Sequence, residues 1–188
     1  MRQAKLLNQQ VLYNKWGKAF CVDTLQMPDG VTFDWAYTKS RGGVIIVALD
    51  TDKNIILVRQ FRYTIQEFTY ENCAGGVEEK ELDTNTASRE LFEETGYRSE
   101  KLISLGTYYD LPSETNHWCH IFLALDCQHI SQPILDKDVE KYFEMSIEIK
   151  NFLEVYNSLG TDKSLVKSSE HSFGIFLAHR YLTVHQLI

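Results

Sequence analysis

The chain has few of the features that mark a secreted, membrane-spanning or nucleic-acid-binding protein. Its 188 residues include only four cysteines, Cys21, Cys73, Cys119 and Cys127, and none of them form a CxxC pair. That excludes a dense disulfide framework and fits thiols kept reduced. Positive charge is in deficit: 19 Lys and Arg stand against 26 Asp and Glu, a net charge of −7, which argues against a partner bound through a nucleic-acid backbone. The longest aliphatic run, Val44 to Leu49, is far too short to span a bilayer. The first residues, MRQAKLLNQQVLYNKWGK, lack the apolar centre of a signal peptide. Internal repeats, low-complexity tracts and long linkers are missing. So are a Walker loop, a G-x-S-x-G elbow and an H-E-x-x-H sequence. The expectation is a soluble, cytoplasmic protein with neither nucleic acid nor membrane as partner.

What remains is informative. An apolar content of 44% with 12% aromatic residues suffices for a packed core, and the length suits one domain with a small appendage. The densest chemistry lies in Gly75–Tyr97, GGVEEKELDTNTASRELFEETGY, where Glu78, Glu79, Glu81, Asp83, Glu90, Glu93 and Glu94 face only Lys80 and Arg89. The spacing predicts a helix over Asp83–Thr95, with Gly96 ending it in the left-handed conformation. On that helix Glu90, Glu93 and Glu94 fall within an arc of roughly 100°. Leu91, Phe92 and Thr95 lie opposite. A carboxylate face backed by an apolar face and approached through a glycine turn suits a hard divalent cation such as Mg²⁺.

Residues 1–41 read as a small antiparallel sheet, with strands at Val11–Tyr13, Ala19–Thr24 and Val31–Tyr37 and a turn at Pro28-Asp29-Gly30. Trp16, Phe33, Trp35 and Tyr37 give it large aromatic area. Such a sheet needs something to pack on, whether the rest of the chain or a second copy. Residues 42–188 read as the main domain. Val44–Leu49 and Ile55–Tyr63 form a hairpin, with Arg59 and Arg62 on opposite faces of the second strand. Further strands are expected at Glu67–Ala74, Ile103–Tyr109, His120–Leu125 and Tyr142–Met145, and a polar connection over Gln128–Val139. Helices are expected over Ile147–Leu159 and Glu170–Leu187. His117, Cys119 and His120 are zinc-type ligands close in sequence, but in a strand His120 faces away from the other two.

Gly75, five residues, Glu81, seven residues, then Arg89-Glu90-Leu91-Phe92-Glu93-Glu94-Thr95-Gly96-Tyr97 resembles the Nudix box, G-x5-E-x7-R-E-U-x-E-E-x-G-U, with Tyr97 at the final aliphatic position. Ile56-Leu57-Val58-Arg59-Gln60-Phe61-Arg62-Tyr63 is similar to the V-R-Q-x-R strand of the ADP-ribose and ADP-sugar pyrophosphatases of that family. Glu71-Asn72-Cys73-Ala74-Gly75-Gly76 is similar to their E-x-P-A-G segment, with Cys73 for proline. Pro112 falls where that branch carries a proline loop, here Pro112-Ser113-Glu114-Thr115-Asn116-His117. Ser131-Gln132-Pro133 matches only the start of the NADH-pyrophosphatase signature and reads as a loop. The resemblance implies an α/β fold, the Nudix α/β/α sandwich with a mixed sheet, preceded by the small N-terminal antiparallel β-sheet. It implies Mg²⁺-dependent, or Mn²⁺-dependent, hydrolysis of a nucleoside diphosphate linked to another moiety, favouring ADP-ribose or an ADP-sugar, by a homodimer. Glu90, Glu94, Glu93 and the Ala74 carbonyl would hold the metal, Arg89 would brace the glutamates, and Glu81 would tie the loop to the helix. Asp136, Asp138 or Glu140 would supply the general base, with Asp138 and Glu140 ranked first. Arg62, Arg59, Glu114, Trp35 and Phe33 would contact substrate. Other readings are a hydrolase of a GDP-sugar or dinucleoside polyphosphate and a non-catalytic nucleotide sensor.

Overall fold

A computed structural model describes residues 3–15, 17–134 and 145–188 of the chain. It divides into two compact units, Met1–Gly42 with Tyr108–Cys119, and Gly43–Thr107 with His120–Ile188. Among the described residues no helix is long and apolar enough to cross a membrane.

The first unit is built on three antiparallel strands in the order β1 (Lys5–Lys15), β2 (Lys18–Gln26) and β3 (Thr32–Ser40). Gly17, at φ 72°, closes the first hairpin between the paired Lys15 and Lys18. Pro28–Gly30 forms the expected turn, with Val31 and Met27 joined by a 2.8 Å bond. β1 is much longer than the Val11–Tyr13 the sequence suggests, and β2 and β3 each extend a few residues beyond expectation. Every residue of β1 is exposed, so it carries no buried-face alternation to read; pairing with β2 rather than burial makes it a strand. The segment after Tyr109 lies along β3. Thr38 N donates to Glu114 O at 2.8 Å, and Ser40 N donates to Asn116 Oδ1 at 2.9 Å. Trp16, counted among the aromatics of this sheet, lies outside the described residues.

Among the described residues an eight-stranded sheet, built mainly from the second unit, runs β11 (Ser146–Asn151), β5 (Asn54–Arg62), β4 (Gly43–Asp50), β10 (Trp118–His129), β8 (Tyr97–Arg98). Beside these, β6 (Glu67–Glu71) pairs with β5, β7 (Cys73–Gly76) with β4, and β9 (Lys101–Tyr109) with β10. The chain runs from one unit into the other along β9 and β10. Alternation along β4 divides its side chains between two cores. Val44, Ile46 and Ala48 join Ala87 and Leu91 of helix α1 (Asp83–Thr95). Val47 and Leu49 join Phe152 and Val155 of α2 (Phe152–Ser158) and Ile175, Ala178 and Leu182 of α3 (Ser169–Val184). Helices thus cover both faces of the sheet, the expected α/β/α layering.

Helix α1 occupies the span its spacing predicts. Gly96 caps it at φ 74°, donating to Phe92 O at 2.8 Å. A Cβ on Gly96 would stand 1.8 Å from the Ser131 carbonyl oxygen, so glycine is required twice over. The Ser131-Gln132-Pro133 segment is a loop, as expected, and its Ser131 N donates to Gly96 O at 3.3 Å. The helix expected over Ile147–Leu159 is corrected. Ser146–Asn151 is a strand paired with β5, Ile147 opposite Val58 and Ile149 opposite Ile56, and only Phe152–Ser158 is helical. The segment alternates polar and apolar residues as Ser-Ile-Glu-Ile-Lys-Asn, a strand period that fits its pairing with β5. Asn151 then caps α2, accepting from Glu154 N at 3.1 Å. The polar connection expected from Gln128 starts later, because β10 continues to His129. Residues 142–144 of the strand expected at Tyr142–Met145 lie outside the described residues.

Candidate active site

The acidic helix and strand β7 meet at Ala74–Gly76. Glu94 Oε2 accepts from the Ala74 backbone N at 3.0 Å. One turn earlier, the Glu90 carboxylate covers Gly75, where a Cβ would stand 1.9 Å from Glu90 Cδ. Only glycine leaves that space, and this is the physical content of a glycine fixed before the acidic helix. Arg89 organises the rest. Its Nε and Nη2 donate to the two Glu81 carboxylate oxygens, each at 3.0 Å. Its Nη1 donates to Glu90 Oε1 at 2.8 Å and to Glu93 Oε2 at 3.0 Å. The hydrogen bonds to Glu81 and the negative charge of Glu90 raise the Arg89 pKa, so it stays protonated. The same bonds hold the Glu81 carboxyl down at about 2.

These groups form an all-oxygen donor set gathered on one backbone corner, with Glu90 and Glu94 one turn apart. It fits a hard divalent cation in donor type. Cys73 lies against Glu94 and Glu90, and its burial together with their negative charge pushes its thiol pKa well up.

Arg62 and Arg59 differ in their surroundings. Arg62 Nε donates to Glu71 Oε1 at 2.8 Å, and its Nη2 reaches Glu71 Oε2. The Glu71 side chain is only 5% exposed, while that of Arg62 is 47% exposed. Gln60 Nε2, Thr69 Oγ1 and His171 Nε2 also face the Glu71 carboxylate. Burial pushes the Glu71 pKa up, but the Arg62 bond, the neighbouring His171 ring and the Thr69 bond outweigh it, and the carboxyl is held below its ordinary value. Arg59 instead lies over the Phe68 ring, 3.8 Å from its centre. Sequence reasoning missed His171, which accepts from Asn72 N through Nδ1 at 3.2 Å. It comes from α3, 99 residues away, and no local pattern could have linked the two. Glu71 was legible only as the acid opening the E-x-P-A-G-like segment.

In the first unit Trp35, Tyr37, Tyr109, Pro112 and Asn116 line a cavity of about 380 Å³. Trp35 is 45% exposed and meets Phe33 edge to face at 6.4 Å. Glu114 is exposed on the adjoining loop, its backbone tied to Leu111 and Thr38. Tyr37 belongs to the aromatic-rich stretch Phe33–Tyr37 that the sequence points to, whereas nothing in the sequence around Tyr109 links it to that stretch. Asp136, Asp138 and Glu140 lie outside the described residues.

Residues 39–156 match the family model described as NUDIX domain. An ADP-ribose pyrophosphatase of Bacillus subtilis is 31% identical over 143 residues, 73% of this chain and 77% of that protein. The methanol dehydrogenase activator of Bacillus methanolicus is 31% identical over 103 residues, 55% of this chain and 56% of its own length. A solved structure described as an ADP compounds hydrolase superposes with a TM-score of 0.83 at 19% identity, covering 99% of this chain and 97% of that one. At that identity the likeness speaks for the fold.

Proposed function

Because the chain belongs to the Nudix family and is a Nudix hydrolase, we propose that it hydrolyses the pyrophosphate of a nucleoside diphosphate linked to a sugar, ADP-ribose or an ADP-sugar, giving AMP and a sugar phosphate. The observation that carries this reading is the corner at Ala74–Gly75, where Glu90 and Glu94 meet the backbone of β7 and Arg89 bridges Glu81, Glu90 and Glu93. The B. subtilis relative supports the choice of substrate by its own activity.

Glu90 and Glu94, with Glu93 and the Ala74 carbonyl, would hold a divalent cation, Mg²⁺ in preference to Mn²⁺. Such a cation spreads the negative charge of the phosphates and makes a bound water more acidic. Arg89 fixes the carboxylates with its charge fully satisfied, so they need little rearrangement when substrate arrives. Glu93, 41% exposed, is free on its outer side to orient a water. Asp138 or Glu140 is assigned the removal of that water's proton. Arg62 keeps the outer face of its guanidinium for phosphate while its inner edge holds Glu71, and Arg59 adds a second positive charge on β5. In the first unit Trp35, with Phe33 beside it, offers a stacking surface for a planar base, and Glu114 offers an acceptor for ribose hydroxyls. The exposed apolar residues of β1, among them Leu6, Val11 and Leu12, suit a second copy of the chain, so the active species is a homodimer.

Product analysis with ADP-ribose, ADP-glucose, GDP-mannose, NADH and diadenosine polyphosphates in Mg²⁺ tests this reading. AMP and ribose 5-phosphate from ADP-ribose, at the highest kcat/KM of the panel, is the expected result. A chain that cleaves none of the nucleotide sugars would overturn it, and preference for GDP-mannose or a dinucleoside polyphosphate would move the substrate.

A further inference from the structure

Among the described residues, Asp110, His117 and Cys119 bring three potential ligand atoms within 4.8 Å of one another. The sequence set His117 and Cys119 next to His120, but His120 is engaged elsewhere. Its Nδ1 meets Asp83 Oδ2 at 2.8 Å and its Nε2 meets Ser104 Oγ at 2.7 Å. Asp110 takes the third place because the loop doubles back. Glu114 N and Thr115 N donate to Leu111 O at 2.8 and 2.9 Å, and His117 N donates to Thr115 Oγ1 at 3.0 Å. With Thr38 clasping the same loop through Glu114, His117 Nδ1 comes against Asp110 Oδ2, and Cys119 Sγ stands 3.9 Å from the same nitrogen.

Two features separate this cluster from a hydrogen-bonded relay. A relay uses opposite ring nitrogens for acid and nucleophile, which is the pattern of His120 between Asp83 and Ser104. At His117 the carboxylate and the thiol face one nitrogen, so sulfur, nitrogen and oxygen converge on a common point. The donor set is also mixed, unlike the all-oxygen set on α1, and thiolate with imidazole and carboxylate is the chemistry that holds Zn²⁺. Tetrahedral Zn²⁺ places its nitrogen and sulfur ligands roughly 3.5 Å apart, close to the separation found here. Cys119 is buried, while the Asp110 and His117 side chains are 24% and 28% exposed, which leaves an approach for the ion.

We propose that Asp110, His117 and Cys119 form a three-ligand Zn²⁺ site with the fourth position open to water. On binding, the Cys119 thiol proton passes to solvent. The imidazole carries its proton on Nε2, so Nδ1, the thiolate and a carboxylate oxygen each present a lone pair. All three ligands lie within Asp110–Cys119, the segment whose Pro112 and Asn116 line the aromatic cavity together with Tyr109. Zn²⁺ therefore acts as a clasp on that cavity. The site does not depend on the hydrolase reading and stands or falls separately from it.

The test uses the full chain without a polyhistidine tag, stripped with a chelator and titrated with Co²⁺ and then Zn²⁺. A near-ultraviolet thiolate-to-cobalt band that saturates at one ion per chain and is displaced by Zn²⁺ is expected. Cys119→Ser should abolish the band, and Cys127→Ser and Glu90→Gln should keep it. Asp110→Asn, at a partly exposed position, carries the test even if Cys119→Ser does not fold, and should weaken Co²⁺ binding by roughly 10- to 100-fold. No thiolate band in the wild type, a band that survives Cys119→Ser, or unchanged affinity in Asp110→Asn would each overturn the proposal.

Discussion

Arg89 of the second unit reaches three carboxylates and the Gly76 carbonyl, whereas Trp35 of the first unit leaves nearly half its surface to solvent and Leu12 more than half. The second unit turns its charges inward on one another. Glu71, deeply buried, is met by Arg62, Gln60, Thr69 and His171. The first unit leaves apolar and aromatic surface unspent. Preorganised charge is what phosphate chemistry requires, because a group already held in place needs no reorganisation when charge develops. Exposed aromatic surface is what recognition requires. Under the proposed function, the acidic corner of the second unit would serve chemistry and the aromatic surface of the first would serve recognition.

The contrast breaks most sharply at Glu94. Glu94→Gln removes a charged oxygen from the corner and should lower kcat by at least about 100-fold while leaving the melting temperature close to wild type. A coupled phosphate-release assay beside a thermal melt checks both. Gly75→Ala comes next: its Cβ would displace the Glu90 carboxylate, with an expected loss of roughly 10- to 100-fold in kcat/KM and in Mg²⁺ affinity. In the first unit, Leu12→Lys should convert the proposed dimer to monomer on size exclusion with light scattering, with an unchanged far-ultraviolet spectrum. A wild-type chain already monomeric at assay concentration would remove the dimer from the account.

The smallest effect sharpens the comparison at acid pH. Glu81 is held at about 2 against an ordinary 4.5, chiefly by its hydrogen bonds from Arg89. A carboxyl with a depressed folded-state pKa stabilises above its unfolded pKa, and that contribution is lost as pH falls through the folded value. Urea midpoints of wild type and Glu81→Gln should therefore differ at pH 7 and converge between about pH 4.5 and pH 2. A difference that stayed constant over that range would show that the Arg89–Glu81 pair does not carry it.

Much of the second unit was legible because its signals are local. Helical spacing and a terminal glycine marked α1, and fixed spacing named Arg89, Glu90 and Glu94. Apolar runs marked β4 and β5. What stayed hidden depends on distant partners. Ser146–Asn151 is the exception, since its alternation as Ser-Ile-Glu-Ile-Lys-Asn is a local strand signal that the helical reading of Ile147–Leu159 passed over. His171 meets Glu71 and Asn72 only after α3 packs on the sheet. Asp110 meets His117 only because the intervening loop turns back on Leu111. The first unit was the least legible, since β1, exposed along its whole length, leaves no burial period in the sequence.

Steady-state kinetics of Glu94→Gln and Trp35→Ala on ADP-ribose, measured side by side in Mg²⁺, tests the division of labour most directly. Glu94→Gln should lower kcat with little change in KM. Trp35→Ala should raise KM by roughly 10-fold with kcat nearly unchanged. Near wild-type kcat in Glu94→Gln, or a Trp35→Ala variant that loses kcat while keeping its KM, would contradict it.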